Sequence, residues 1–145
     1  MREAAVMVVV NPEGRILGVS RRYDKTKFGL PGGKLDPNEA PEQAAIRETL
    51  EETSTQVHAC VYLYKREEAP DKPDGEWFYT YCYLALSWSG QPTNSEEGEV
   101  KWLTVYDLTN PNSAFPEFNT NTFNRIKERY PQLFLLESDK GENNV

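Results

Sequence analysis

Hydrophobic and polar residues follow one another along this chain in short blocks that predict strands and helices in alternation. Continuous or alternating apolar runs predict strands at residues 4–10, 15–20, 57–65, 77–88 and 100–105. Because Asn11-Pro12-Glu13-Gly14 is a turn sequence, we expect the first two strands to form a hairpin. Helical patterns cover residues 41–53 and 120–130. This order of elements predicts an α/β or α+β fold with a mixed sheet.

The first predicted helix carries three carboxylates on one face. Glu48, Glu51 and Glu52 are spaced i, i+3, i+4, so they repel one another unless a positive group lies against them. A hard divalent cation such as Mg²⁺, which takes oxygen ligands, is the natural candidate. A solvated acidic face is the simpler alternative. Ile46 and Leu50 lie on the opposite side, and we expect them to pack on the sheet.

Length and charge limit the classes of function. We expect residues 1–136 to form one domain and residues 137–145 to be a solvated tail. The net charge of -7 argues against a nucleic-acid-binding surface but not against a polyphosphate substrate, because a bound metal reverses the local field. No apolar run is long enough to cross a bilayer, and residues 5–10 are too short for a signal peptide. We therefore expect a cytoplasmic protein without a membrane partner.

The two cysteines lie in apolar, strand-like runs. We interpret Cys60 and Cys82 as buried, reduced thiols of a cytoplasmic protein. A disulfide between neighbouring strands is the less favoured alternative.

Six residues at fixed spacing carry the most specific signal in the chain. The pattern is a glycine, five residues, a glutamate, seven residues, Arg-Glu, two residues and Glu-Glu. It is matched here by Gly33, Glu39, Arg47, Glu48, Glu51 and Glu52. This pattern resembles the Nudix hydrolase signature, whose box here spans residues 33–55. The resemblance implies an α/β/α sandwich with a strongly twisted mixed central sheet. Thr49 replaces a bulky apolar residue and is expected to loosen packing under the helix. Ser54 replaces a glycine and must supply the left-handed conformation at the helix end.

Further similarity points to the MutT-like branch of this family. It includes the opening hairpin, the Arg21-Arg22 pair, Leu30 to Lys34, and Phe115-Pro116 followed by Asn119. In that branch such an asparagine helps to read the nucleotide base. A cap of the last helix is the alternative role for Asn119, and a polar strand end is the alternative for Arg21-Arg22.

The resemblance implies Mg²⁺-dependent hydrolysis of a pyrophosphate bond in a nucleoside diphosphate derivative, with Mn²⁺ able to substitute. The expected catalytic residues are Arg47, Glu48, Glu51 and Glu52. The expected metal ligands are Glu48, Glu51, Glu52, Glu97 and the Gly32 carbonyl. Arg21, Arg22, Lys34 and Asn119 are expected to bind substrate, whereas Gly33 and Glu39 are structural. The general base is left open between Glu48 and a carboxylate of Glu96, Glu97 and Glu99.

A nucleoside triphosphate, oxidised or not, is the favoured substrate, giving a monophosphate and pyrophosphate. ADP-ribose, a dinucleoside polyphosphate or another nucleotide conjugate is the alternative within the same chemistry. An inactive Nudix-like module that binds nucleotides is disfavoured because all the acidic residues are present. A calcium-binding protein is disfavoured because the sequence has no loop of alternating Asp/Asn ligands. Both a monomer and a homodimer are compatible with the sequence.

Overall fold

The computed structural model describes residues 2–70, 72–96 and 98–134, so the predicted tail at 137–145 lies outside the described residues. Within these ranges the elements are β1 (Arg2–Val8), β2 (Ile16–Ser20), β3 (Phe28–Gly29), β4 (Gly32–Lys34), α1 (Pro41–Thr53), β5 (Gln56–Glu68), β6 (Phe78–Ser89), β7 (Val100–Leu103), α2 (Val105–Thr109), α3 (Pro116–Arg129) and a 3₁₀ turn (Pro131–Phe134). No helix among the described residues is long and apolar enough to cross a membrane.

The larger of two sheets is mixed and has the strand order β4-β1-β6-β5. Strand β1 runs parallel to β6 and antiparallel to β4, and β5 and β6 form a long antiparallel pair. The smaller sheet, β3-β2-β7, is antiparallel. Strands and helices therefore combine in the predicted α+β class.

Alternate residues of the larger sheet enter two separate cores. Ala5 and Met7 of β1 pack with Ala44 and Ala45 of α1 on one face. On the other face, the core of Val8 and its neighbours includes Phe118, Phe123 and Ile126 of α3. Since side chains of a strand alternate between faces, the sheet is covered by a helix on each side. This is the expected α/β/α sandwich.

The predicted hairpin of the first two strands is correct only at its turn. The Leu17 N–H donates to the Val9 carbonyl at 2.9 Å, and Val10 and Ile16 form an isolated bridge. Beyond that point β2 pairs with β3 and β7 in the other sheet. Both edges of β1 are already occupied by β4 and β6, so β2 has no free edge of β1 with which to pair.

Helix α1 has the predicted bounds, but it packs through a different face. Leu50 is 43% exposed and Ile46 is half-buried, whereas Ala44, Ala45, Thr49 and Thr53 are buried. The expectation that Leu50 packs on the sheet is therefore wrong. These small buried residues allow the helix to approach the sheet closely, and the buried Thr49 hydroxyl donates to the Ala45 carbonyl at 2.7 Å.

The end of α1 and the cysteines complete the comparison with the sequence. Ser54 ends α1 in the left-handed conformation, with φ of 64° and ψ of 20°, as predicted. Both cysteines are free thiols, and Cys82 is buried as expected. Cys60 is only half-buried, because its strand β5 lies at the edge of the sheet.

Candidate active site

Two of the three glutamates of α1 lie against the backbone of β4. Glu52 Oε1 accepts a hydrogen bond from the Gly32 N–H at 2.8 Å. The Glu48 carboxylate packs so closely on Gly33 that an added Cβ would lie 2.7 Å from Glu48 Cδ. A side chain at Gly33 would therefore displace Glu48, which is why a glycine fits here. Glu51 extends away from the strand, and its side chain is 50% exposed.

Arg47 is the centre of the polar network around these glutamates. Its Nε and Nη2 atoms donate to the two carboxylate oxygens of Glu39 at 2.7 and 2.9 Å, forming a bidentate pair. Its Nη1 atom donates to Glu48 at 3.0 Å and to Glu51 at 3.2 Å. Its Nη2 atom also reaches the Lys34 carbonyl at 3.3 Å. The Arg47 cation thus offsets the repulsion among the carboxylates of Glu39, Glu48 and Glu51. Its bond to the Lys34 carbonyl also links α1 to β4.

Glu39 lies in the turn that leads into α1. Besides its bonds to Arg47, its carboxylate accepts the Asp36 N–H at 2.9 Å. These hydrogen bonds, those from Arg47 foremost, lower the pKa of Glu39 from 4.5 to about 2. The same contact with Glu39 is the main cause that raises the pKa of Arg47. The pair is therefore ionised at neutral pH and ties the turn to the helix.

The donor atoms on this face of α1 fit a hard divalent cation. Carboxylate oxygens are the ligands that Mg²⁺ and Mn²⁺ prefer, and Gly33 leaves the Glu48 carboxylate the space that a Cβ would fill. Within the described part of the chain, no three His, Cys, Asp or Glu side chains converge closely enough to hold a metal by themselves. Mg²⁺ usually keeps several waters and takes further oxygens from substrate phosphates. The residues present thus fit a metal that binds together with an anionic ligand.

A cleft of about 330 Å³ opens on the face of the sheet opposite α1. One row of its floor runs across four paired strands through Lys34, Ala4, Thr80 and Arg66. At the usual spacing between strands, this row is roughly 14 Å long. Two small residues therefore lie between two cations, and Phe118 of α3 adds an aromatic wall.

Asn119 lies in the wall of this cleft and is only 1% exposed. Its Nδ2 atom donates to the Leu108 carbonyl at 2.8 Å, which fixes the orientation of the amide group. Helix α3 begins at Pro116, four residues earlier than predicted, and its N-cap residue is Phe115. The alternative that Asn119 caps the last helix is therefore wrong.

The predicted cationic residues separate into two groups. Arg21 and Lys34 line the cleft, and the Arg21 guanidinium lies 4.8 Å from the centroid of the Phe115 ring. Arg22 is exposed and is not among the residues that line the cleft. The fold thus brings Arg21, Lys34 and Asn119 together and leaves Arg22 outside.

The acidic loop before β7 contributes its backbone to the described contacts. Ser20 and Glu99 exchange two hydrogen bonds of 2.9 Å, one through the Ser20 hydroxyl and one through the Glu99 carbonyl. The Glu96 and Glu99 side chains are exposed, and neither lines the cleft. Glu97 lies outside the described residues.

Sequence reasoning missed the β5 side of the cleft. The pattern predicts that this strand ends at residue 65, whereas β5 continues to Glu68 and places Arg66 and Glu68 in the cleft. The two residues are two apart, so they share one face of the strand. Their alternation with Lys65 and Glu67 was the available signal, but charged residues at the end of an apolar run are typical of a loop as well.

The profile of the NUDIX domain matches residues 1–126 of this chain. The chain belongs to the Nudix family. It is a Nudix pyrophosphohydrolase, and members of this family generally use a divalent metal ion. The Nudix box of residues 33–55 therefore corresponds to the end of β4, the turn and α1 described above.

Relatives with known names agree with this assignment to the Nudix family. The 8-oxo-dGTP diphosphatase of Escherichia coli (strain K12) is 30% identical over 129 residues, which cover 86% of this chain and 95% of that protein. The oxidized purine nucleoside triphosphate hydrolase of Danio rerio is 30% identical over 103 residues, or 69% and 64% of the two chains. The crystal structure of the MutT NUDIX hydrolase from Burkholderia pseudomallei is similar with a TM-score of 0.67 and 28% identity, covering 83% of this chain and 95% of that one.

Proposed function

We propose that this enzyme hydrolyses an oxidised purine nucleoside triphosphate, such as 8-oxo-dGTP, to a monophosphate and pyrophosphate with Mg²⁺. The observation that carries the proposal is the position of β4, which has the carboxylates of α1 on one face and the cleft on the other. Because β4 is an edge strand of its sheet, the phosphates of a nucleotide in the cleft can pass around its outer edge to the carboxylates. The substrates in the names of the two relatives support the choice of base.

The residues of the cleft have distinct proposed roles. Lys34, at the β4 end of the floor, offers a positive charge to the phosphates, and Arg21 offers a second one. Asn119, whose amide group is oriented by its hydrogen bond to the Leu108 carbonyl, offers a hydrogen-bonding group to the base. The Phe118 ring packs against Tyr64 and the Arg66 guanidinium and forms part of the apolar wall beside the base.

The proposed metal ligands are Glu48, Glu51, Glu52 and the Gly32 carbonyl, with Mn²⁺ able to replace Mg²⁺. When bound, the metal neutralises phosphate charge and lowers the pKa of a coordinated water. Arg47 donates to Glu48 Oε1 and holds this side chain in place, and Glu48 is the proposed acceptor of the proton from the attacking water. Catalysis by positioning and charge stabilisation is what phosphoryl transfer requires.

The test is a panel of nucleotides assayed with and without Mg²⁺, with identification of the products. We expect turnover of 8-oxo-dGTP with release of pyrophosphate, and loss of turnover in Glu52→Gln. Glu42→Gln is the matched control, since Glu42 lies on the same helix and bonds to Cys60 rather than to β4.

Two outcomes would contradict the proposal. Turnover of ADP-ribose or a dinucleoside polyphosphate without turnover of any triphosphate would agree with the chemistry of the family but would refute the proposed substrate. Nucleotide binding without turnover on any substrate would favour a binding module.

A further inference from the structure

Arg66 and Glu68 form an ion pair at the end of the cleft that lies farthest from β4. The Arg66 Nε atom lies 3.3 Å from Glu68 Oε1, and the Arg66 guanidinium lies over the Phe118 ring at 5.6 Å from its centroid. Both side chains line the cleft, with 31% and 51% of their surfaces exposed. A hydrogen-bond donor and an acceptor are therefore held side by side at this end.

The position of the pair determines which part of a nucleotide it can meet. Arg66 is at one end of the cross-strand row and Lys34 is at the other, next in sequence to Gly33, on which the Glu48 carboxylate packs. A nucleotide with its phosphates near Lys34 extends its base along the row toward β5. The pair therefore faces an edge of the base rather than the phosphates.

The chemistry of the pair distinguishes an oxidised from an ordinary purine. In guanine, O6 and N7 are both hydrogen-bond acceptors. Oxidation at C8 leaves a carbonyl at C8 and a hydrogen on N7, so the same edge presents an acceptor at O6 next to a donor at N7. A guanidinium beside a carboxylate is complementary to the oxidised edge only.

We propose that Arg66 and Glu68 are specificity-determining residues, with Arg66 donating to O6 and Glu68 accepting from the N7–H of an 8-oxopurine. This inference rests on the proposed function. With dGTP, the lone pair of N7 faces the Glu68 carboxylate, and such a repulsive contact disfavours the competing ligand. The Phe118 ring, 5.6 Å from the guanidinium carbon, packs against Arg66 and restricts its side chain.

The same strand contains a matched control pair. Lys65 Nζ lies 3.3 Å from Glu67 Oε1, so this pair has the same spacing in sequence and the same separation. Lys65 and Glu67 alternate with Arg66 and Glu68, so they lie on the opposite face of β5, and neither lines the cleft.

The experiment compares kcat/KM for 8-oxo-dGTP and for dGTP in the wild type and three variants. Glu68→Gln should lower the ratio of the two values about tenfold, because its amide can donate to N7 of dGTP whereas the charged acceptor is lost. Arg66→Ala should lower both values by a similar factor, since O6 is present in both substrates. Glu67→Gln should leave both unchanged.

A binding measurement without metal separates recognition from chemistry. Titration calorimetry with 8-oxo-dGMP and dGMP should show the same loss of preference in Glu68→Gln. An unchanged ratio in Glu68→Gln, or an equal change in Glu67→Gln, would overturn the inference while the proposed function stands. A wild type that hydrolyses neither substrate would refute the proposed function and the inference together.

Discussion

The two faces of β4 differ in how their polar groups are organised. On the α1 face, glutamates and Arg47 are bonded to one another and to the strand, and they all come from residues 32–52. On the cleft face, the polar side chains come from β4, β5, β6, α3 and the segment after β2, and Asn119 and Arg66 have separate partners.

Under the proposed function, this difference separates the groups that act in the reaction from those that select the substrate. Carboxylates that share one cation hold each other in place, so a change in one disturbs the rest. Residues of the cleft with separate partners can change one at a time. We therefore expect substitutions on the α1 face to affect all substrates, and substitutions in the cleft to affect the choice among them.

The largest effect should follow from Gly33→Ala. The new Cβ would overlap the Glu48 carboxylate, and a shift of about 1 Å at a reacting group costs about 100-fold in rate. We expect that loss in kcat/KM for every substrate, with little change in melting temperature. Gly29→Ala is the control, because its Cβ would meet Ala114 at an ordinary 3.5 Å. Equal activity of the two variants would show that the position of Glu48 is unimportant.

Arg47→Ala should combine a loss of activity with a loss of stability. It removes the cation that bonds Glu39, Glu48 and Glu51, and we expect the free energy of unfolding to fall by about 2 kcal/mol. Urea denaturation measures it. Arg47→Lys keeps the charge but loses the bidentate pair, so its stability should be intermediate. A stability equal to that of the wild type in both variants would contradict the role of Arg47 as the centre of the network.

The variants Arg21→Ala and Arg22→Ala should distinguish the roles of these two neighbouring cations in substrate binding. Arg21 lines the cleft and Arg22 does not, so only Arg21→Ala should raise KM, by about fivefold for the loss of one hydrogen bond. Steady-state kinetics with a nucleoside triphosphate measures the difference. A larger effect from Arg22→Ala would mean that the substrate extends beyond the cleft.

The smallest effect should be a dependence of stability on acid pH. The pKa of Glu39 is lowered from 4.5 to about 2, so its ionised form stabilises the folded state above pH 4.5. This contribution to stability is lost as the pH falls from 4.5 toward about 2. Glu39→Gln should be less stable than the wild type at neutral pH, and the difference should shrink toward about pH 2. A difference that stays constant with pH, measured by thermal unfolding, would exclude this linkage.

Local sequence predicted most of the α1 face. Helix α1 has the expected bounds, and Ser54 supplies the left-handed residue at its end. Glu48, Glu51 and Glu52 share a helix face by their spacing alone, because three and four residues make about one helical turn. Interactions of this kind depend on residues that are close in the chain, so a sequence pattern contains them.

The cleft could not be predicted in the same way. The extension of β5 to Glu68, the start of α3 at Pro116 and the exclusion of Arg22 depend on the packing of elements distant in the chain. The register that aligns Lys34 with Arg66 passes through β1 and β6, and a shift of one residue in any pair would turn those side chains to the other face.

The sequence by itself therefore determined the helix, its carboxylates and the family chemistry that they imply. Tertiary structure alone decided which face of α1 is buried, which sheet contains β2, and which charged side chains share the cleft. The physical reason is the distance along the chain between the residues that interact. Helical spacing and turn conformation are set within a few residues, whereas strand register and helix packing are set by contacts between segments that the order of residues leaves far apart.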